Sequence, residues 1–352
     1  MEGSSTRSLH ADRHLAELPD VAPAIRPSTT FEDGTGRRYR RGSHETTERF
    51  EAVIGSLEGG HAVAFGSGMA AAAATLEFAE PDAVVLPDVV YHEVRQLVLD
   101  RQERGILRLG LAETLTAGDL VWVETPSNPF CEVTDVRAVV AEAHAVGAVV
   151  AVDATLATPV NLNPLDLGAD IVVHATTKAI SGHSDAMGGV VVVRDGADAD
   201  RLRQIRLRTG AVPGSLDVWL ALRGSRTLPL RAERAAENAA AIATELSNLG
   251  VPTWYPGLPD HPGHEVAGEQ METMGSMLAV DLGSGEAAVA FVDAMDLFTS
   301  ATSLGGVESL VEIRSRSDSS IAPGIVRISV GIEDAVDLIA DIRRGYEAFH
   351  RS

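Results

Sequence analysis

Of the 29 lysine and arginine residues in the chain, 28 are arginine and one is lysine, at position 178. Arginine carries charge as well as lysine does, but a guanidinium neither deprotonates in a protein nor condenses with a carbonyl, whereas a primary amine does both. A base-composition bias toward arginine, alanine and glycine codons explains the missing lysines and leaves the retained one unexplained. Lys178 closes the segment Asp170-Ile171-Val172-Val173-His174-Ala175-Thr176-Thr177-Lys178, just past an apolar run. Some 25 residues earlier, Asp153 ends another apolar run, Ala148-Val149-Val150-Ala151-Val152-Asp153. A carboxylate there can pair with a protonated ring nitrogen, or simply cap the next turn. A third group is the glycine-rich Phe65-Gly66-Ser67-Gly68-Met69-Ala70-Ala71. Its glycines let backbone N–H groups approach an anion at a helix start. It matches a dinucleotide fingerprint (Gly66-x-Gly68-x-x-Ala71), fits a single phosphate equally well, and can also be a structural turn.

These residues need a scaffold that brings them to one edge. Near-continuous apolar runs at His61–Phe65, Ala83–Pro87, Leu120–Glu124, Ala148–Asp153, Asp170–Ala175 and Gly189–Val193 predict strands covered on both faces. Helical stretches at Gly68–Phe78, His92–Arg104 and Asp135–Val146 alternate with them. The pattern predicts an α/β sandwich with a mostly parallel sheet, whose ligands bind at the carboxyl ends of strands. Asp153 and Lys178 then sit at such ends on neighbouring strands. That joint placement favours pyridoxal 5'-phosphate (PLP) over a nicotinamide cofactor, for which a lone lysine has no evident use. Residues 1–50 read as an N-terminal arm with a helix beginning near Thr46, 51–214 as the large cofactor domain, 215–250 as a connecting helical region kinked at Pro229, and 251–352 as a small α/β domain. Within the last, strands are expected at Met277–Leu282, Phe298–Ala301 and Val326–Val330, helices at Glu286–Met295 and Glu333–Phe349, and a surface loop at Pro256–Gly275.

A formal charge of -21 and a pI near 4.8 disfavour nucleic acid and anionic membrane as partners. No apolar run is long enough to span a bilayer, and the start, Met1-Glu2-Gly3-Ser4, lacks a secretory pattern, so a cytoplasmic location is expected. Cys131 is the single cysteine, which excludes an intrachain disulfide. His174, His183, His261 and His264 show no metal-ligand spacing, and no metal is expected.

From Ser28 to Glu347 the chain resembles the Cys/Met-metabolism PLP enzymes, the fold-type I family that includes cystathionine gamma-synthase, cystathionine gamma-lyase and methionine gamma-lyase. The blocks that carry the resemblance occur in order: Ser28-Thr29-Thr30-Phe31, Tyr39-x-Arg41, Gly66-Ser67-Gly68-Met69-Ala70, Glu124-Thr125-Pro126-Ser127-Asn128-Pro129 and Val152-Asp153-Ala154-Thr155-Leu156-Ala157-Thr158-Pro159. Thr177-Lys178, Ser181-Gly182-His183-Ser184-Asp185, Leu222-Arg223-Gly224, Ser303-Leu304-Gly305-Gly306-Val307-Glu308-Ser309-Leu310 and Arg327-Ile328-Ser329-Val330-Gly331-Ile332-Glu333 follow. The resemblance implies a seven-stranded sheet sandwiched by helices, a smaller C-terminal α/β domain, and PLP held on Lys178 as a Schiff base. It further implies that Tyr91 stacks on the ring and exchanges protons, that Asp153 holds the pyridine nitrogen with Thr155 beside it, and that Asn128 lies near the phenolic oxygen. Gly68, Met69 and Thr177 would hold the phosphate, with Tyr39 and Arg41 reaching it from a neighbouring subunit of a homodimer or homotetramer. Arg327, helped by Ser309, would grip the substrate carboxylate, with Glu308 placed to meet a distal ammonium.

The chain also departs from the family. Ala175 stands where a phosphate-binding serine is usual, His44-Glu45-Thr46 replaces Asn-Pro-Thr, and His92-Glu93-Val94 follows Tyr91 in place of a segment that carries a reactive cysteine in methionine gamma-lyases. Carbon-sulfur lyase chemistry of transsulfuration is therefore expected, cystathionine gamma-lyase first. Gamma-replacement on an activated homoserine is the neighbouring possibility, and a catalytically silent PLP-binding protein the one of a different class.

Overall fold

The computed structural model describes residues 3–17 and 20–351. The chain divides into two compact units: the described residues within Met1–Thr125 and Thr134–Pro229 form the first, and Pro126–Val133 with Leu230–Ser352 the second. The short piece Pro126–Val133 thus belongs to the second unit, although the chain on both sides of it lies in the first.

The first unit begins with α1 (Ser4–His10), an irregular stretch, and α2 (Glu45–Glu58), then runs β1 (His61–Phe65), α3 (Gly68–Ala79), β2 (Ala83–Val85), α4 (His92–Glu103), β3 (Arg108–Leu109) and β4 (Leu120–Glu124). It continues through α5 (Val136–Val146), β5 (Val149–Asp153), β6 (Ile171–His174), β7 (Gly189–Val193), α6 (Gly196–Thr209) and α7 (Ser215–Ser225). The strands make a seven-stranded sheet in the order β1-β7-β6-β5-β4-β2-β3. The β2-β3, β2-β4, β4-β5 and β5-β6 pairs are parallel, and β7 runs antiparallel to both its neighbours. The segment between β6 and β7 forms no helix that could carry the chain back along the sheet, which leaves β7 reversed. Strands β2, β4, β6 and β7 are buried throughout. On one face Trp122, Ala151, Val173 and Val191 pack with Ala71, Val98 and Leu202 into a single apolar cluster. The arm is not merely extended. Buried Arg49 of α2 pairs with Asp12 at 2.7 Å, Arg26 pairs with Glu45 at 3.0 Å, and Arg40 donates to the Pro213 carbonyl at 2.5 Å.

The long helical region expected across Pro229 is two helices, α7 and α8 (Leu228–Asn248), with Pro229 in the first turn of α8 rather than in a kink. Proline is tolerated there because the first-turn N–H groups have no intrahelical acceptor. The second unit adds β8 (Thr253–Trp254), α9 (His264–Gln270), β9 (Met277–Asp281), α10 (Gly285–Asp293), β10 (Thr299–Ser300), β11 (Leu310–Ile313), β12 (Ile325–Ser329) and α11 (Ala335–Arg351). Its five-stranded sheet has the order β10-β11-β12-β9-β8. Leu278, Val280, Val326 and Ile328 of this sheet pack against Ile242, Phe291, Leu338 and Ile342. The expected loop Pro256–Gly275 contains α9, so it is not wholly irregular.

Candidate active site

In the first unit the site grows from the carboxyl edge of the sheet. Asp153 is the last residue of β5 and lies opposite Val173 in the parallel β5-β6 register. Lys178, half-buried, follows β6 in a tight turn closed by its own N–H to the Ala175 carbonyl (3.1 Å) and by the Gly182 N–H to the Lys178 carbonyl (2.9 Å). Thr155 ties the two strand ends together. Its hydroxyl donates to Asp153 Oδ1 at 2.5 Å and accepts the Ala175 N–H at 2.8 Å, while its own N–H also reaches Oδ1 at 3.0 Å. Burial pushes the Asp153 carboxyl up from the usual carboxylate range, and the Thr155 hydrogen bonds and the charge of His174 oppose that push. Both bonds from Thr155 converge on Oδ1, so Oδ2 is the oxygen left to meet a cationic N–H.

The glycine-rich turn lies against the same edge. Ser67 caps α3: its hydroxyl accepts the Ala70 N–H at 3.0 Å and its carbonyl accepts that of Ala71 at 3.1 Å. The amides of Gly68 and Met69, ahead of these, have no acceptor within the helix and lie at its positive end. A side chain on Gly68 would put a Cβ 2.8 Å from the Ala175 Cβ, so the turn is pressed close to the segment that carries Lys178. The Thr177 hydroxyl is engaged by the chain entering β7: it donates to the Gly188 carbonyl at 3.2 Å and accepts the Gly188 N–H at 3.0 Å.

Tyr91 is the residue before α4 and is 49% exposed, enough to present its ring to a ligand. Partial burial, then the charges of Glu93 and Glu124, raise its phenol above the usual tyrosine value. The phenol therefore keeps its proton at neutral pH. Tyr39 and Arg41 are exposed, with the Arg41 guanidinium 5.3 Å from the centre of the Tyr39 ring.

The second unit holds a separate cluster. Arg327, on β12 and 3% exposed, pairs with Glu312 of β11 at 2.6 Å, donates to the Ser303 carbonyl at 2.6 Å, and donates to the Asn128 Oδ1 at 3.3 Å. Burial lowers its pKa to about 10, against the opposing charge of Glu312, so it stays cationic at neutral pH. Its Nε has no hydrogen-bond partner. Ser309 is fully buried. Its hydroxyl donates to Glu333 Oε2 at 2.9 Å and accepts the Gly331 N–H at 2.9 Å, and its own N–H donates to Glu333 Oε1 at 2.7 Å. That set fixes the loop before β11 and leaves the hydroxyl proton committed to Glu333. Glu308 next to it is exposed. Cys131 is buried, with its thiol pushed up to about 12 by burial and its sulfur 3.2 Å from the Met277 carbonyl oxygen. A thiol so placed is no nucleophile.

The structure therefore brings Asp153, Thr155, Lys178, Gly68 and Met69 to one sheet edge, and Asn128 with Arg327 into the second unit's cluster. Sequence reasoning missed Glu312, Ser303 and Glu333. Their partners lie up to two dozen residues away in sequence and are joined only by the β11-β12 pairing. Among the described residues, no group of three potential metal-ligating side chains is present and no helix is long and apolar enough to cross a membrane.

The arrangement fits PLP on three counts: a lone side-chain primary amine past β6, a half-buried carboxylate at the end of the neighbouring strand with one oxygen uncommitted, and a helix start with two spare amides. Over residues 5–347 the chain matches the family of Cys/Met metabolism PLP-dependent enzymes, and it belongs to that family. It is an α/β enzyme of sulfur amino acid metabolism whose cofactor is PLP. A cystathionine gamma-lyase of Bacillus subtilis is 39% identical over 338 residues, covering 89% of this chain and 89% of the relative. A cystathionine gamma-synthase of Mycobacterium bovis is 38% identical over 379 residues, covering 98% and 97%. The crystal structure of a methionine gamma lyase from Micromonospora echinospora matches with a TM-score of 0.90 at 39% identity, covering 98% of this chain and 99% of that one.

Proposed function

We propose that the chain is a carbon-sulfur lyase of transsulfuration that converts cystathionine and water to cysteine, 2-oxobutyrate and ammonia. The observation that carries this reading is that the single lysine follows directly on β6, the parallel neighbour of β5, whose last residue is Asp153. Bound PLP supplies an electron sink for the electrons left when a proton leaves the substrate Cα. Lys178 carries the cofactor and, with its amine displaced by the substrate amino group, moves the Cα proton. Asp153 keeps the ring nitrogen protonated, and Thr155 keeps Asp153 ionised and oriented. The Gly68 and Met69 amides and Thr177 hold the phosphate, with Tyr39 and Arg41 of a second copy completing that site in a homodimer or homotetramer. Tyr91 donates a proton to the departing sulfur. Asn128 orients the phenolic oxygen. Arg327 takes the substrate carboxylate by a two-pronged contact, Ser309 keeps the neighbouring loop in place, and exposed Glu308 meets the distal ammonium of cystathionine.

A second reading, gamma-replacement that joins cysteine to an activated homoserine, is favoured by the equally similar mycobacterial gamma-synthase. Purified protein given cystathionine alone is expected to release thiol and 2-oxoacid. Turnover only with an acylated homoserine plus cysteine would replace the lyase reading with the synthase one. Binding of PLP without turnover of either would mark a silent binding protein. Borohydride treatment is expected to fix PLP on Lys178, and an unmodified Lys178 peptide would sink every version of this assignment.

A further inference from the structure

Glu124 has no role in the reading above, yet it is a carboxylate only 6% exposed at the end of β4, level with Asp153 in the β4-β5 register. Its Oε2 accepts the Tyr91 N–H at 2.7 Å. The Tyr91 carbonyl in turn accepts the N–H groups of Val94 (2.9 Å) and Arg95 (3.2 Å), the first bonds of α4. Both polar backbone atoms of Tyr91 are therefore fixed, one by the sheet edge and one by the helix. The loop that leads into it is fixed as well, because Arg95 Nη2 donates to the Pro87 and Asp88 carbonyls at 2.7 and 3.0 Å.

We propose that Glu124 is a positioning residue for Tyr91: its carboxylate pins the backbone at the entrance to α4 and sets a negative charge beside the phenol. The inference rests on the proton-donor reading of Tyr91. A half-exposed ring on a loop would otherwise sample several rotamers, and an anchored main chain narrows the positions from which its hydroxyl can reach a leaving group. The nearby charge favours the neutral phenol over the phenolate, in the same sense as Glu93 from the first turn of α4, while Arg95 is turned toward the loop carbonyls. The signal in the sequence is Glu124 at the carboxyl end of an otherwise apolar strand, a position that invites a functional partner and names none.

The test uses the full chain with and without PLP. Tyrosinate absorbance is titrated in the parent and in Glu124→Gln, and subtraction of the Tyr91→Phe curve separates Tyr91 from the other three of the four tyrosines. Glutamine offers the same N–H an amide oxygen but no charge, so the Tyr91 titration is expected to move to lower pH. Glu124→Ala removes the acceptor too, and is expected to lower kcat for thiol release about tenfold or more with little change in KM, against less than about threefold for glutamine. An unmoved Tyr91 titration, or an alanine variant with parental kcat, overturns the proposal. If Glu124→Ala does not fold, the glutamine titration decides alone. Parental turnover by Tyr91→Phe would remove the proton-donor reading, and the titration would still report whether Glu124 governs the phenol.

Discussion

Replacing Thr155 by valine removes one oxygen and keeps the shape of the side chain. That oxygen makes two bonds: donation to Asp153 Oδ1 at 2.5 Å and acceptance of the Ala175 N–H at 2.8 Å. A hydrogen bond to a charged group contributes about 1.5–3 kcal/mol, and stranding the Ala175 N–H costs about 1–3 kcal/mol more, so a total of about 2.5–6 kcal/mol is expected in the cofactor-free protein. The penalty depends on pH. The Asp153 carboxyl is already raised by burial, and the lost Thr155 bond was one of the contacts holding it down. For an acid whose folded pKa lies above its unfolded value of about 3.9, the folded state binds more protons between the two values, and stability falls as pH rises through that window. The contribution is whole below the unfolded value and gone above the folded one. Valine moves the upper edge of the window higher, so Thr155→Val should cost more at neutral pH than near pH 4. Bound PLP, by placing a cation against Oδ2, should shrink the difference. Urea denaturation at several pH values, with and without PLP, measures all three quantities. A valine variant within about 0.5 kcal/mol of the parent at every pH, or a penalty that does not change with pH, would refute the role assigned to this hydroxyl.

Three further outcomes follow from the geometry. Ala175→Ser restores a hydroxyl where the family usually carries one, and a net hydrogen bond of about 1 kcal/mol should tighten PLP roughly fivefold in a fluorescence titration. Arg327→Lys keeps the charge but not the fork, and should raise KM for cystathionine about tenfold or more with kcat less affected; Arg327→Met should in addition lower urea stability, because buried Glu312 then keeps Arg314, at 2.9 Å, and the Ser317 hydroxyl, at 2.8 Å, but loses the buried cation opposite it on β12. Cys131, with its thiol pushed up to about 12, should resist an aromatic disulfide reagent at pH 8 in the folded protein and react once urea has unfolded it.

Much of the first unit is legible in the residue order because its strands are buried on both faces. Runs such as Leu120-Val121-Trp122-Val123 and Val149-Val150-Ala151-Val152 leave no other use for so many consecutive apolar side chains, and the polar residue that ends each run marks the ligand edge. What was hidden depends on partners. Helix α6 is so rich in arginine and aspartate that its few buried positions, Ala199, Leu202 and Arg206, give no clear apolar stripe until β1 and α3 are placed beside it. Strand β11 is four residues long with Glu312 inside it, and reads as a strand only once Arg327 supplies the opposite charge from β12. The two-residue β8 carries too little periodicity to register at all, whereas β10 lies inside the strand expected at Phe298–Ala301. In the site, Lys178 and Asp153 are visible by residue type and position. The roles of Glu124, Glu312 and Glu333 are not, because acidic residues are common in this chain and only folding selects which of them meets a tyrosine, an arginine or a serine.

The peptide Pro126–Val133 has a practical meaning for anyone who would dissect this enzyme. It joins the C-terminal unit in space while its codons lie far upstream of the rest of that unit. A gene fragment starting at Leu230 would therefore encode β12 without the amide that faces Arg327 and β9 without the thiol that touches Met277. Cutting the polypeptide once, at any single bond, cannot yield both halves whole.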